Sequence, residues 1–270
     1  MVELRAKDFS SFRPLAGRMR GGAELADAVL SGHTQGRVFT GGEAETRSLF
    51  VYDQGLCAIA GPLASEDFAG DCLDWLYRHG GQDFFVLFPG DASWVGALDA
   101  VAAPPVAKVR RVGFRFERTL FEAQRSSAAL EPGFVLARMD AALMGKEAVA
   151  MYPWIAGTWK SAAHFEDVGV GACVMAQGRI VSLCYSIFVS GHRHAVDIYT
   201  LPAFRKRGLA RAAATAFIDT CLARALQPQW DCFKDNLASC QLAQLLGFVP
   251  ADEFPVYSWQ RPVPPQAPIR

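Results

Sequence analysis

The sequence predicts an α+β protein in two parts, and three observations indicate this. Short apolar runs typical of strands alternate with longer stretches of helical spacing. The 270 residues are 51% apolar and 20% charged, a composition that supports a sizeable buried core. A proline pair beside a basic cluster within 102–111 is typical of a linker. We therefore predict a smaller α/β part over 1–110, a second domain over 111–262 and a proline-rich tail over 263–270.

The charge balance and the lack of long apolar runs exclude two classes of protein. The 27 Lys and Arg offset the 27 Asp and Glu, whereas nucleic-acid binders usually carry a strong basic excess. No apolar run approaches the roughly 18 residues that cross a bilayer, and residues 1–20 lack the apolar segment of a secretory leader. The seven scattered cysteines form no CxxC pair, as expected of reduced thiols. We expect a cytoplasmic protein without a nucleic-acid or membrane partner.

The first part has the pattern of a small α/β unit. Two strands flank the turn at Gln54 and Gly55, and Asp91 is a suitable N-cap for a short helix. Between these features the sequence predicts a helix and then a buried strand. In order, the predicted elements are strands over 48–53 and 56–61, a helix over 66–78, a strand over 84–89 and a helix from 91 towards 102.

The second part has a denser series of strands. A tight turn at Gln177 and Gly178 joins two of them as a hairpin. A long helix follows the third, because its apolar residues recur on one stripe. The predicted elements are strands over 134–139, 169–176, 179–188, 192–200, 228–232 and 255–259, and helices starting at Asp140 and covering 209–225 and 238–246.

The strongest chemical signal lies where that long helix begins. Arg205, Lys206, Arg207 and Arg211 surround Gly208 there. The first amides of a helix have no internal partner and attract anions, and glycine lets the backbone approach a ligand closely. Cations at this end of a helix interact unfavourably with the helix dipole, and a bound anion would compensate for that. A basic turn that is simply solvated would have the same sequence. We predict a phosphate-bearing cofactor. Neither GxxxxGK[ST] nor a helix-opening GxGxxG is present.

These residues resemble a known family. Arg205-x-x-Gly208-x-Ala210 is similar to the acetyl-CoA pyrophosphate loop of the GNAT N-acetyltransferase superfamily, and residues 230–248 resemble its next strand, asparagine and helix ending in Gly-Phe. The resemblance covers about 165–260 and is greatest to the larger two-part members. It implies a mixed, mostly antiparallel sheet flanked by helices. The first part would then be a degenerate, non-catalytic copy of that fold or an unrelated cap.

The resemblance also implies acetyl-CoA as cofactor and a set of residues that bind it. The loop would hold the pyrophosphate, and Asn236 and Ser239 would bond the pantetheine, although Asn236 is equally suited to be a helix N-cap. Whether Arg207 and Arg211 contact cofactor or solvent stays open. The expected cofactor-binding residues are Ile198, Thr200, Arg205, Lys206, Arg207, Gly208, Leu209, Ala210, Asn236 and Ser239.

The implied reaction transfers the acetyl group directly to an amine in a ternary complex. The ammonium form of the amine must first lose a proton to a base. One candidate is His194, at a position where several relatives carry Glu or His. The other is Asp197, because an acidic side chain in an apolar strand is costly to bury unless it has a function or pairs with a cation. Backbone N–H groups of 198–200 would polarise the thioester carbonyl. The tyrosine that often protonates the thiolate is replaced by Ala243, which leaves Tyr199, Ser239 or water.

Other residues have two interpretations each. His192, His194 and Asp197 do not share a strand face, so no metal site is expected. Cys184 and Cys232 lack an adjacent base, as expected of buried thiols. The aromatic residues of the segment 151–159 could line an acceptor pocket or pack in the core. They are Tyr152, Trp154 and Trp159.

We expect a small-molecule amine, or a peptide, as acceptor and a monomer or homodimer. Two other functions stay open. The first is a non-catalytic acyl-CoA-binding regulatory module of the GNAT fold, which the alanine at position 243 suggests. The second is transfer from a charged tRNA on a related fold, which the neutral overall charge disfavours.

Overall fold

A computed structural model describes residues 1–41, 47–63, 66–80, 83–125 and 130–261. Within these ranges, one mixed sheet has twelve strands in the order β1-β2-β3-β4-β5-β12-β6-β11-β10-β9-β8-β7. The strands are β1 (Val2–Glu3), β2 (Arg37–Gly41), β3 (Ser48–Asp53), β4 (Leu56–Ala60), β5 (Phe84–Pro89), β6 (Ala107–Phe116), β7 (Phe134–Arg138), β8 (Gly171–Ala176), β9 (Arg179–Ser190), β10 (Arg193–Thr200), β11 (Gln227–Phe233) and β12 (Phe248–Gln260).

Helices cover both faces of the sheet. Short 3₁₀ helices lie at Ala6–Phe12, Pro153–Gly157 and Pro202–Phe204, and a π-helix lies at Leu143–Ala148. The α-helices of the described ranges are α1 (Arg13–Ala16), α2 (Ala23–Leu30), α3 (Glu66–His79), α4 (Ala92–Val101), α5 (Arg118–Gln124), α6 (Val149–Met151), α7 (Ala162–Val168), α8 (Leu209–Ala223) and α9 (Leu237–Leu245).

The chain repeats one order of elements. The first half runs β2-β3-β4-α3-β5-α4-β6 and the second runs β8-β9-β10-α8-β11-α9-β12. In each half the three leading strands are antiparallel, and the fourth strand pairs in parallel with the third. The last strands are exchanged, because β6 pairs with β11 and β12 pairs with β5. The two exchanged strands pair with each other at the centre of the sheet.

Three apolar clusters hold the layers together. On the front face, α2 packs against β4 of the first half and β9 of the second. On the back face, α3 and α4 cover the first half, and α8 and α9 cover the second. The central strands of the sheet are therefore covered on both faces, whereas the edge strands β1 and β7 are largely exposed. No helix of the described ranges is both long enough and apolar enough to span a membrane.

The α+β class, the mostly antiparallel sheet and most of the predicted elements are confirmed. The turns at Gln54–Gly55 and Gln177–Gly178 join antiparallel strands, and the Asp91 carboxylate accepts from two amides at the start of α4. The sequence analysis did not predict seven of the elements, which are β1, β2, β6, α1, α2, α5 and α7. The final strand is also longer than the predicted 255–259.

The predicted linker was wrong over part of its length. β6 begins at Ala107, so only 102–106 connect α4 to the sheet, and the expected division after residue 110 lies inside a strand. The basic cluster there belongs to β6, where Arg111 is paired rather than exposed in a loop. The division into two domains stays a prediction, and the tail over 263–270 lies outside the described residues.

Candidate active site

The basic turn lies at the start of α8, as predicted. Gly208 is the N-cap with φ of 74°, and Lys206 also has a positive φ of 61°. Within the described residues, no acceptor is bonded to the backbone N–H groups from Lys206 to Arg211, and the first helical bond is from Ala212 to the Gly208 carbonyl. The turn therefore presents consecutive free amides beside an exposed lysine, which is a donor set that fits a pyrophosphate.

The arginines of the turn are partly engaged by the protein. Arg207 forms an ion pair with Glu131 and lies 4.6 Å from the ring centre of Phe134. Arg211 donates to the carbonyl of Gln124 at 2.7 Å, and Arg205 Nε donates to the carbonyl of Thr200 at 3.2 Å. These contacts hold the turn against α5 and β10.

A gap opens between two parallel strands next to this turn. β10 and β11 pair only over Arg193–Ala195 and Gln227–Gln229, although β10 continues to Thr200. Beyond these residues β10 pairs with β9 alone and β11 with β6 alone. In the first half, β4 and β5 stay paired from Leu56–Val86 to Ile59–Pro89, so the equivalent gap is absent from the described residues there.

A cavity of about 610 Å³ passes through the gap and reaches both faces of the sheet. Its front part is lined by strands of both halves and by the segment that contains Tyr152 and Trp154. Its back part lies against α9, where it is lined by Trp230, Cys232, Asn236 and Ser239. A ligand on the back face and another on the front face could therefore meet between β10 and β11.

Asp197 lines the front part of the cavity. Its Oδ2 accepts a hydrogen bond from the Tyr185 hydroxyl at 3.1 Å, and its Oδ1 accepts from the amide of Ile198 at 2.9 Å. No cation of the described chain lies within ion-pair distance of this carboxylate. Burial raises its pKa above the ordinary value for aspartate.

His194, the other candidate base, lies away from the cavity. Its side chain is 1% exposed, and Nδ1 is 2.9 Å from the hydroxyl oxygen of Ser186. Burial lowers its pKa to about 4, and the nearby charge of Arg224 acts in the same direction. The imidazole is thus neutral at physiological pH and does not line the cavity that Asp197 faces.

The remaining predicted residues divide between the loop and the cavity. Ile198, Asn236 and Ser239 line the cavity, whereas Tyr199 stacks on Tyr152 instead. Asn236 is the N-cap of α9 and accepts from the amide of Ser239, and the Ser239 hydroxyl accepts from the indole N–H of Trp230 at 3.1 Å. Thr200 ends β10, and its hydroxyl forms a 2.7 Å hydrogen bond with the hydroxyl of Ser182. Leu209, the first residue of α8, is buried, and Ala210 lies in the first turn of the helix.

Sequence reasoning missed an ion pair in the cavity wall. Arg111 of β6 donates through Nε to Asp231 Oδ1 and through Nη2 to the Asp231 carbonyl at 3.2 Å. The guanidinium lies between the rings of Phe88 and Phe233, 5.4 and 4.7 Å from their centres. The basic cluster and the acidic residue were visible in the sequence, but 120 positions separate them.

The aromatic and thiol residues have mixed roles. Tyr152 and Trp154 line the cavity, whereas Trp159 is buried and donates to the Ser186 carbonyl at 2.9 Å. Cys184 is fully buried, and Cys232 Sγ lies 3.4 Å from Cys240 Sγ. Burial raises the pKa of Cys232 to about 12. The described residues contain no cluster of metal-binding side chains.

The site combines a turn with free backbone amides, two parallel strands that separate, and an acidic residue that faces the gap between them. This is the architecture of a GNAT-type acyltransferase. The family model described as GNAT acetyltransferase matches residues 22–257. The chain belongs to this family.

Similar proteins agree with this assignment. The chain is 29% identical over 233 residues to the uncharacterized N-acetyltransferase YdfB of Bacillus subtilis strain 168, covering 85% of this chain and 88% of the relative. A crystal structure of a GCN5-related N-acetyltransferase-like protein from Streptococcus suis superposes with a TM-score of 0.73 at 22% identity, covering 94% of this chain and 99% of the other. A tandem GNAT protein of the clavulanic acid pathway has a TM-score of 0.59 at 10% identity, covering 97% and 98%. At these identities the solved structures show a shared fold.

Proposed function

We propose that this protein is an acetyl-CoA-dependent N-acetyltransferase that acts on a small-molecule amine in a ternary complex. The observation that supports the proposal most strongly is the gap between β10 and β11, since Asp197 lines the cavity there and the same strand, β10, leads on to the free-amide turn. All seven cysteines are free, which agrees with a reducing, cytoplasmic setting.

The residues of the loop side fit coenzyme A. The free amides after Arg205 and the side chain of Lys206 would hold the pyrophosphate. Asn236 and Ser239, at the back of the cavity, would bond the pantetheine. When bound, acetyl-CoA supplies an acetyl group as an activated thioester.

Asp197 is the residue that we assign to proton removal. It faces the cavity, has no cation partner within the described chain, and has a pKa raised by burial, which brings it closer to the pKa of an amine. The amide of Ile198 donates to Asp197 Oδ1. When Asp197 turns to an ammonium, this amide becomes available to a carbonyl oxygen in the gap.

The residue that protonates the departing sulfur differs from the usual tyrosine. Ala243 is fully buried, and Tyr199 is stacked on Tyr152. Ser239 is the predicted hydroxyl that lines the back of the cavity, where its oxygen already accepts from Trp230. We therefore assign proton delivery to Ser239 or to a water beside it.

Two measurements on the purified chain test the proposal. Calorimetry is expected to show saturable, one-to-one binding of acetyl-CoA, and a thiol assay is expected to show coenzyme A release that depends on added amine. The proposal is wrong if acetyl-CoA does not bind. Binding without release for any amine would instead favour the non-catalytic acyl-CoA-binding module.

A further inference from the structure

The first half of the chain forms much of the wall around the front part of the cavity. Leu56 of β4 and Phe84, Val86 and Phe88 of β5 all line it, on the face covered by α2. Counted from the gap across the sheet, these strands come after β11, β6 and β12. The first half therefore contributes much of the surface that the body of an acceptor would contact.

β4 and β5 contribute only apolar side chains to this part of the wall, and the polar side chains beside them are Ser258 and Gln260 of β12, which pair with Val86 and Phe84. Leucine, valine and phenylalanine side chains form no hydrogen bonds, so a polyhydroxylated or polycationic body placed here would leave polar groups unpaired. Tyr152 and Trp154 add aromatic surface to the cavity, and the Trp154 indole N–H already donates to the Gln54 carbonyl at 3.2 Å. An apolar or aromatic body matches this lining.

The charged groups of the wall favour a cation. Three carboxylates line the cavity, and two of them are paired, Glu24 with Arg193 at 3.1 Å and Asp231 with Arg111. The third belongs to Asp197, which is bonded by a hydroxyl and an amide and has no ion pair within the described chain. An ammonium next to Asp197 would supply the missing positive charge.

The described part of the wall has no free cation for a carboxylate of the acceptor. Arg111 is the cation among the described residues that line the cavity. Its guanidinium is bonded to Asp231 and covered by Phe88 and Phe233. A carboxylate beside it would displace Asp231 or lie close to three other carboxylates.

Resting on the proposed function, we infer that the acceptor is a primary amine on an aromatic or branched apolar body that carries no carboxylate. Asp197 binds the ammonium, and the body lies between the wall of the first half and the rings of Tyr152 and Trp154. The acceptor class therefore excludes free amino acids, polyamines and amino sugars.

A matched set of amines tests the inference on the full chain. 2-Phenylethylamine and L-phenylalanine share one body and differ in the carboxylate, and spermidine represents the polar alternative. We expect kcat/KM for 2-phenylethylamine to exceed that for each of the others by at least about tenfold, the scale on which one mismatched group is discriminated. A preference for L-phenylalanine or spermidine would overturn the inference while leaving the acetyltransferase assignment in place.

Calorimetry separates a failure of this inference from a failure of the proposed function. Direct titration of 2-phenylethylamine, with and without coenzyme A, is expected to show binding that Asp197→Asn weakens. Absent binding overturns the inference even if acetyl-CoA binds normally. Absent acetyl-CoA binding is a failure of the proposed function alone.

Variants of the wall provide a second readout. Phe84 is half-buried, and Phe84→Ser is expected to raise KM for 2-phenylethylamine about tenfold with unchanged acetyl-CoA affinity. Val101→Ala, at an exposed apolar position of the same half, is the control and should leave both values unchanged. If Phe84→Ser does not fold, Leu56→Asn replaces it. An unchanged KM in a folded variant argues against the apolar wall as the site of the amine body.

Discussion

Tyr152 stacks on Tyr199, with ring centres 4.7 Å apart and ring planes 10° apart. This contact fixes the segment before the Pro153–Gly157 helix against β10, two residues beyond Asp197. The front wall of the cavity is thus positioned by the strand that carries the proposed base.

Loss of this stack should impair amine binding. We expect Tyr152→Leu to lower kcat/KM about tenfold, mainly through KM, because an aromatic pair of this kind is worth about 0.5–1.5 kcal/mol beyond its buried area. Tyr152→Phe keeps the ring and should remain close to the wild-type protein in steady-state kinetics. Equal losses in both variants would assign the effect to the hydroxyl.

Asp197→Asn should lower activity and raise stability together. Removal of a general base costs about 10² to 10⁴ in rate. Burial raises the pKa of Asp197, so the folded state retains its proton to higher pH than the unfolded state does. The ionised group therefore opposes folding at neutral pH, and the variant should gain free energy of unfolding at pH 7.5 but little at pH 3.5. Urea denaturation at both pH values checks this, and a loss of stability at pH 7.5 would contradict it.

Removal of the Arg111 charge should shift the pH profile. Burial raises the pKa of Asp197, and the positive charge of Arg111 opposes that rise. In Arg111→Gln the pKa rises further, so the acidic limb of kcat/KM should move to higher pH. Arg110→Gln, at an exposed neighbour that pairs with Glu253, is the control and should keep the wild-type limb. If the acidic limb of the pH profile of Arg111→Gln does not shift, Asp197 is not the group whose titration produces that limb.

His194 should contribute to stability rather than turnover. Burial lowers its pKa to about 4, so the folded state disfavours the protonated ring that the unfolded state forms below pH 6.5. The free energy of unfolding is therefore unaffected by this group at neutral pH and falls by up to about 3 kcal/mol as the pH is lowered from 6.5 to 4. His194→Gln should flatten that dependence in urea denaturation and retain kcat at pH 7.5. The exposed His192→Gln is the control, and a large loss of kcat in folded His194→Gln would restore this residue as the base.

Gly208→Ala should weaken acetyl-CoA binding beyond its effect on folding. A side chain at φ of 74° costs about 1–2 kcal/mol, and it would project from the turn that carries the free amides. Gly191 has φ of 58° and equally open surroundings in the β9–β10 hairpin turn, at the end of β10 opposite to the cofactor turn. Gly191→Ala should therefore cost similar stability and leave the affinity measured by calorimetry unchanged. Equal affinities in the two variants would argue against the turn as the cofactor site.

Local signals explain which elements the sequence predicted. The hairpin at Gln177–Gly178, the amphipathic α8 and the Asp91 cap are each determined by a few adjacent residues. By contrast, α2 is buried around most of its circumference, so it lacks the polar face that marks a surface helix. β12 contains Pro250 and Pro255, which are typical of loops, and it accommodates a register shift after Pro250.

The candidate site was predictable where its residues are close in sequence. The turn from Arg205 to Ala210 and the placement of Asp197 on β10 follow from motif and strand spacing. The pairing of Arg111 with Asp231, and the wall built by β5, depend on strands that meet only after the whole sheet has formed. Such contacts leave no periodic signal in either partner.

The exchange of β6 and β12 ties the two halves into one cooperative structure. A chain cut in the connection over 102–106 would yield two fragments. The second would keep both β6 and β12, and the first would end with β5 and lack the β12 strand that pairs with it. Separately the fragments should expose unpaired strand edges and aggregate, whereas co-expression should restore one assembled enzyme. If recombination replaced one half, the new half would need a central strand that pairs with the sheet of the other half. The two halves are therefore constrained to be inherited as a unit.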